Sequence, residues 1–155
     1  MTNLYSLMAV QDQIWDTIKS AIHKAQTADE LPVCELPNRS LEHPQNPNHG
    51  DYSSNIALRL AKPMRINPMQ IAELVKARID LKSPIASVSV AKPGFLNFNL
   101  ESAWVKNQVE KILEIGEEYG NIELGNSAKI QIEFVSVNPT GPLHIGHTRG
   151  AVVGS

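Results

Sequence analysis

The sequence predicts an α+β fold: a small antiparallel sheet packed by helices, followed by the opening of a second unit. Three observations carry that reading. Apolar side chains recur at helical spacing over residues 7–26 (Leu7, Val10, Ile14, Ile18, Ala21, Ile22, Ala25). Two alternating runs, 86–91 and 95–100, flank the turn-forming Lys92-Pro93-Gly94 and read as a hairpin. A new apolar run opens at 129, after a stretch that carries Gly120, Asn121, Gly125 and Asn126. At 155 residues and 42% hydrophobic, the chain can bury a core and fits one domain with part of a second.

Each element has a local reason. The first helix buries one face of its apolar stripe. Residues 31–36 read as a short strand between Pro32 and Pro37, and 38–51, rich in Pro, Asn, His and Gly, read as loop. Ser53 or Ser54 can cap a helix over 54–62, which Pro63 terminates or kinks. Asn67 and Pro68 supply the N-cap and first position of another, running to about Ile79. Ser102 opens a helix to about Glu118 whose expected buried face is Val105, Val109, Ile112 and Leu113. The expected division is 1–120 for the α+β domain, 121–128 for a linker and 129–155 for the second unit, beginning with a strand over 129–137.

Bulk properties narrow the class. Cys34 is the single cysteine, so no internal disulfide can form, and a reducing compartment is expected. The N-terminus lacks the pattern of a signal peptide, and no run of about 18 apolar residues is present. A cytoplasmic protein without a membrane span follows. No metal site is expected: His43 and His49 flank a loop without enough further ligands. The net charge of −2 is unevenly spread. Seven of the 14 Lys and Arg fall between Arg59 and Lys92, against Glu73 and Asp80 alone. That stretch is either a set of ordinary solvated helix faces or a local patch for phosphates.

The chemistry lies in one segment. From Glu133 to Gly150 an apolar strand runs through Ser136-Val137-Asn138-Pro139-Thr140-Gly141-Pro142-Leu143 into His144-Ile145-Gly146-His147 at an expected helix N-terminus. A loop leaving the end of such a strand is where doubly wound sheets bind ligands. Unpaired N–H groups in the first helical turn suit phosphates. Two imidazoles three residues apart can face one phosphate chain and donate to oxygens whose charge grows as pyrophosphate leaves. Gly146 lets a nucleotide approach the backbone without a Cβ in the way. The tetrapeptide alone remains as compatible with two surface histidines.

The longer string resembles the first nucleotide-binding segment of class I aminoacyl-tRNA synthetases, and in detail the arginyl-tRNA synthetase family. Gly50-Asp51-Tyr52-Ser53-Ser54-Asn55 and Lys92-Pro93-Gly94-Phe95-Leu96-Asn97-Phe98 look like that family's N-terminal additional domain. The resemblance implies ATP-dependent formation of arginyl-adenylate and transfer of arginine to tRNA(Arg), with ATP and its Mg2+ as substrate and no bound cofactor. It implies that His144, Gly146 and His147 act on the ATP phosphates, and that Ser136, Asn138 and His147 contact L-arginine. Glu133 could offer a carboxylate to the guanidinium, or simply face solvent from its strand. It implies a Rossmann-type catalytic domain beginning at 129. It also implies a D-loop contact by the additional domain, for which Phe95 and Asn97, on one strand face, are the candidates for stacking and reading an unpaired base. The competing reading makes Phe95 core and Asn97 an edge residue. Gly141 stands where some family members carry a lysine, so a Lys-Met-Ser-Lys-like loop is expected further along the full protein.

Two other functions compete: a non-catalytic RNA-binding module made of the additional domain, and another nucleotidyltransferase using the same His-x-Gly-His loop. The 128 preceding residues count against the latter, because such enzymes usually begin with the nucleotide-binding strand. The chain is expected to be an N-terminal piece of a monomeric enzyme and inactive by itself. It is also expected to self-associate through its unpaired 130–135 run.

Overall fold

The helical stripe at the start of the chain folds as α1 (Ser6–Thr27) in a computed structural model that describes residues 6–120, 128–138 and 140–154. Ile14, Ile18 and Ile22 on α1 are fully buried. They pack with Ile56 and Leu60 of α2 (Ile56–Met64), Ile71 and Val75 of α3 (Pro68–Ala77), and Leu96 and Phe98 of the sheet. Burying an aliphatic or aromatic side chain of this size stabilises the fold by about 1.5–3 kcal/mol. Asn67 caps α3 as expected, its side chain accepting from the Met69 N–H with Pro68 in the first turn. Pro63 sits in the last turn of α2, which ends at Arg65 in the left-handed conformation (φ 55°).

The hairpin forms as expected, from β2 (Ile85–Ala91) and β3 (Phe95–Leu100). A third strand, β1 (Tyr52–Ser54), was not expected. It pairs antiparallel with β3, so the order is β1-β3-β2, with the phenylalanine-bearing β3 in the middle. The register opposes Tyr52 to Phe98, Ser53 to Asn97, and Val90 to Leu96. Period-2 alternation therefore sends Tyr52, Leu96, Phe98 and Val90 to the helix-covered face. Ser53, Asn97, Ser89 and Phe95 go to the other face. Gly50, at φ +80°, turns the chain into β1, where a Cβ would lie 2.6 Å from the Phe98 carbonyl oxygen. Asp51 ties the two strands further: its N–H donates to Phe98 O (2.8 Å) and its carboxylate accepts from the Leu100 N–H (2.7 Å).

Three sequence expectations are corrected. Residues 31–36 form no strand; Pro32 and Pro37 lack the N–H groups a ladder needs, and Val33 is exposed. The helix from Ser102 exists as α4 (Ser102–Ile115), but Val105, Val109, Ile112 and Leu113 are exposed. Its inward row is Trp104 and Gln108, four residues apart, because the Trp104 ring packs against the core. The 129–137 strand is absent from the described residues: the segment pairs with no neighbour, and Val135 at φ 57° breaks its extension.

By internal packing the chain divides into Met1–Asn121 and Ile122–Ser155. In the second unit the expected helix is present as α5 (Ile145–Gly154). Phe134 lies against it so closely that a Cβ on Gly154 would fall 2.4 Å from the Phe134 Cβ. The expected linker falls, apart from residue 128, outside the described residues. Among the described residues no helix is long and apolar enough to cross a membrane, and no three His, Cys, Asp or Glu side chains cluster as a metal site.

Candidate functional site

In the second unit, Ser136, Val137, Asn138, Thr140, Gly141, Pro142, His144 and His147 line one open cavity of about 560 Å³ at the N-terminus of α5. Local geometry explains how they gather. The Thr140 N–H donates to Asn138 O (2.8 Å), folding the loop tightly, and the His147 N–H donates to His144 O (2.8 Å), starting the helix. The two imidazoles stack, with centroids 3.7 Å apart and planes at 26°. Each ring also receives a backbone N–H on Nδ1: His147 from the His144 N–H (3.3 Å) and His144 from the Gly146 N–H (3.2 Å). A nitrogen that accepts cannot carry the proton, so each neutral ring holds its hydrogen on Nε2. The His144, Gly146, His147 and Thr148 N–H groups are thus taken up within the loop and helix, and the two Nε2–H donors belong to rings that line the cavity, an arrangement suited to a chain of phosphate oxygens. A Cβ on Gly146 would meet the His144 ring at 3.1 Å, so the glycine also makes room for the stack.

Glu133 is exposed and does not line this cavity. Leu143 and Ile145 are exposed beside it, and Pro139 lies outside the described residues.

The first unit carries a second cavity, of about 310 Å³, between the 42–49 loop and the outer face of the sheet. Phe95 and Lys92 form one wall; Pro44, Gln45, Asn46 and His49 face them, with Ser53 between. Phe95 is half-buried, as a ring lining a cleft should be. Asn97, on the same strand face, is only 3% exposed, so it is neither the edge-strand solvent residue nor the fully accessible amide that the sequence allowed. Its Oδ1 accepts from the Ser53 hydroxyl at 2.8 Å. The loop and Ser53 were missed as site residues because Pro and Asn there signal only a turn. The available signal was the Gly50-Asp51-Tyr52-Ser53-Ser54-Asn55 motif, which marks the segment without showing what it pairs with.

Three of the seven basic residues of the 59–92 stretch are engaged by the protein itself. Arg78 forms a two-pronged pair with Glu30, Lys76 lies 3.8 Å from Glu73, and Arg59 donates to Asn38 O (2.8 Å). Lys92 makes no ion pair among the described residues and sits on the cavity wall. The Arg78 guanidinium, by hydrogen bonding to Glu30, holds that carboxyl below its ordinary range, and Lys24 does the same for Asp80.

Residues 12–100 match the family model of the arginyl tRNA synthetase N terminal domain. Over 150 residues the chain is 44% identical to an arginine–tRNA ligase of Dehalococcoides mccartyi (strain CBDB1), covering 97% of this chain and 27% of that protein. It is 43% identical over 146 residues to the arginine–tRNA ligase of Bacillus subtilis (strain 168), covering 94% of this chain and 26% of that one. The fold is similar to that of the arginyl-tRNA synthetase from Plasmodium falciparum, with a TM-score of 0.64 at 18% identity, covering 94% of this chain and 27% of the other. The chain therefore spans about a quarter of the length of the relatives it matches.

Proposed function

From the chain's membership of the arginyl-tRNA synthetase N-terminal domain family, which the match over 12–100 establishes, we propose that it is the tRNA-contacting and phosphate-binding part of an arginine–tRNA ligase. The observation that carries the chemical half is the pair of stacked imidazoles whose Nδ1 atoms are both held by backbone N–H groups. With Nε2–H turned outward, His144 and His147 donate to ATP phosphate oxygens, most strongly as negative charge builds on the departing pyrophosphate. Ser136, Asn138 and His147 contact arginine, and Glu133 pairs with its guanidinium once further protein surrounds it. Residues 129–154 form the opening of a Rossmann-type catalytic domain, joined to the 1–120 additional domain through 121–128. The described residues hold no parallel sheet, so adenylation requires the three quarters of the relatives' length that this chain does not match.

The RNA half rests on the Phe95 cavity. A half-buried aromatic ring, a lysine and amide side chains around a cleft suit an unpaired base and its phosphate better than a helical duplex. The partners are then tRNA(Arg), L-arginine and ATP with its Mg2+, in a monomeric cytoplasmic enzyme.

Arginine-dependent ATP–pyrophosphate exchange tests the reading. The 155-residue chain is expected to show none. A protein extended to the relatives' length should exchange, and His147→Ala in it should lower the rate by about 10² or more. Exchange by the short chain, or an unaffected His147→Ala protein, would overturn this assignment.

A further inference from the structure

Among the described residues, one side chain ties the 44–49 loop, the outer wall of the first-unit cleft, to the strand beside it. The chain leaves that strand's edge at Glu42, whose N–H donates to Ser53 O (3.0 Å) and whose carbonyl accepts from the Ser53 N–H (2.9 Å). It returns at Asp51, whose N–H donates to Phe98 O (2.8 Å). Between these points the other hydrogen bonds among the described residues close on the loop itself. Asn46 Oδ1 accepts from the Asn48 N–H (3.0 Å), and Asn46 O and Pro47 O accept from the His49 N–H (2.9 Å) and the Gly50 N–H (3.2 Å). His43 is the exception. Its Nδ1 lies 2.9 Å from Asp51 O, and because a carbonyl only accepts, Nδ1 carries the hydrogen. Its ring rests on that of Tyr52, with centroids 4.3 Å apart, and Tyr52 is 2% exposed. His43 does not itself line the cleft.

We propose that His43 is a positioning residue: its Nδ1–H bond to Asp51 O holds the 44–49 loop as a preformed wall opposite Phe95, so that the cleft takes up a nucleotide without first ordering the loop. This rests on the reading of the Phe95 cavity as an RNA site. A loop already in its bound shape loses less conformational freedom on binding, and the difference appears as affinity. One neutral hydrogen bond of this kind corresponds to about fivefold in an equilibrium constant. The bond, not the bulk of the ring, carries the effect. Asparagine places an amide N–H where histidine has Nδ1–H, whereas phenylalanine keeps a ring against Tyr52 and has no donor.

The test uses the 155-residue chain, with affinity for tRNA(Arg) read by fluorescence anisotropy, amide hydrogen exchange over residues 44–50 read by mass spectrometry, and folding checked by thermal unfolding. His43→Ala and His43→Phe should both speed exchange across the loop and weaken tRNA binding by about fivefold. His43→Asn should keep both near the values of the unmodified chain, a rescue that loss of packing alone does not produce. Unchanged affinity in the Ala and Phe variants, or an Asn variant as weak as the Ala variant, overturns the proposal. Phe95→Ala separates the two ways of failing. If it weakens binding while His43→Ala and His43→Phe do not, the positioning role fails alone; if it too leaves affinity unchanged, the RNA reading of the cleft fails and the proposal with it.

Discussion

Gly50 shows how a single residue positions a site. Its φ of +80° and the 2.6 Å approach to the Phe98 carbonyl leave no room for a side chain, and the turn it makes delivers Asp51 and Ser53 to β3. Gly50→Ala is expected to destabilise the first unit by about 1–3 kcal/mol, measured by urea denaturation. Phe98→Ala, which removes a fully buried ring from the central strand, should cost about 3–5 kcal/mol by the same measurement. The pattern around these residues was legible: period 2 put Phe95 and Asn97 on one face. The accessibility of Asn97 was not, because β1, which pairs beside it, is remote in sequence. The His144–His147 pair was legible as a phosphate-facing motif, whereas the backbone bonds to both Nδ1 atoms arise only in the folded loop.

At the scale of elements, α4 separates what hydrophobic pattern can and cannot tell. Ser102–Ile115 is helical as expected, yet its apolar row is exposed and the side that meets the core carries Trp104 and Gln108. Val109→Ser should therefore change the stability of this chain by no more than about 0.5 kcal/mol, a value that a buried valine would exceed. The strand expected from 129 lacked a neighbour to complete its hydrogen bonds, which local sequence cannot supply. Between elements, Glu30–Arg78 links the end of α1 to the end of α3, and Lys24–Asp80 runs alongside. Both carboxyls are held below their ordinary range, so they bind fewer protons folded than unfolded. Their contribution is complete above the ordinary carboxylate range and is lost as pH falls through the lowered folded values. Both groups are exposed, and the effect is correspondingly small. Glu30→Gln should flatten the acid limb of a stability-against-pH curve and leave its slope near neutrality unchanged.

Across the whole molecule, two units carry two kinds of chemistry. A helix-packed sheet holds an aromatic-walled cleft, and a short loop-helix holds paired imidazoles. The order of the motifs along the sequence pointed to the family, because each is defined by neighbours in sequence. The cleft was only half visible, because its walls come from 44–49, 53 and 91–95 and meet through strand pairing. The most direct test is the affinity of the 155-residue chain for tRNA(Arg), compared with Phe95→Ala at one stated salt concentration and with folding checked by thermal unfolding. Loss of the stacking ring should weaken binding by about tenfold or more while the domain stays folded. Equal affinity of the two folded proteins would contradict the assignment of this cleft to RNA.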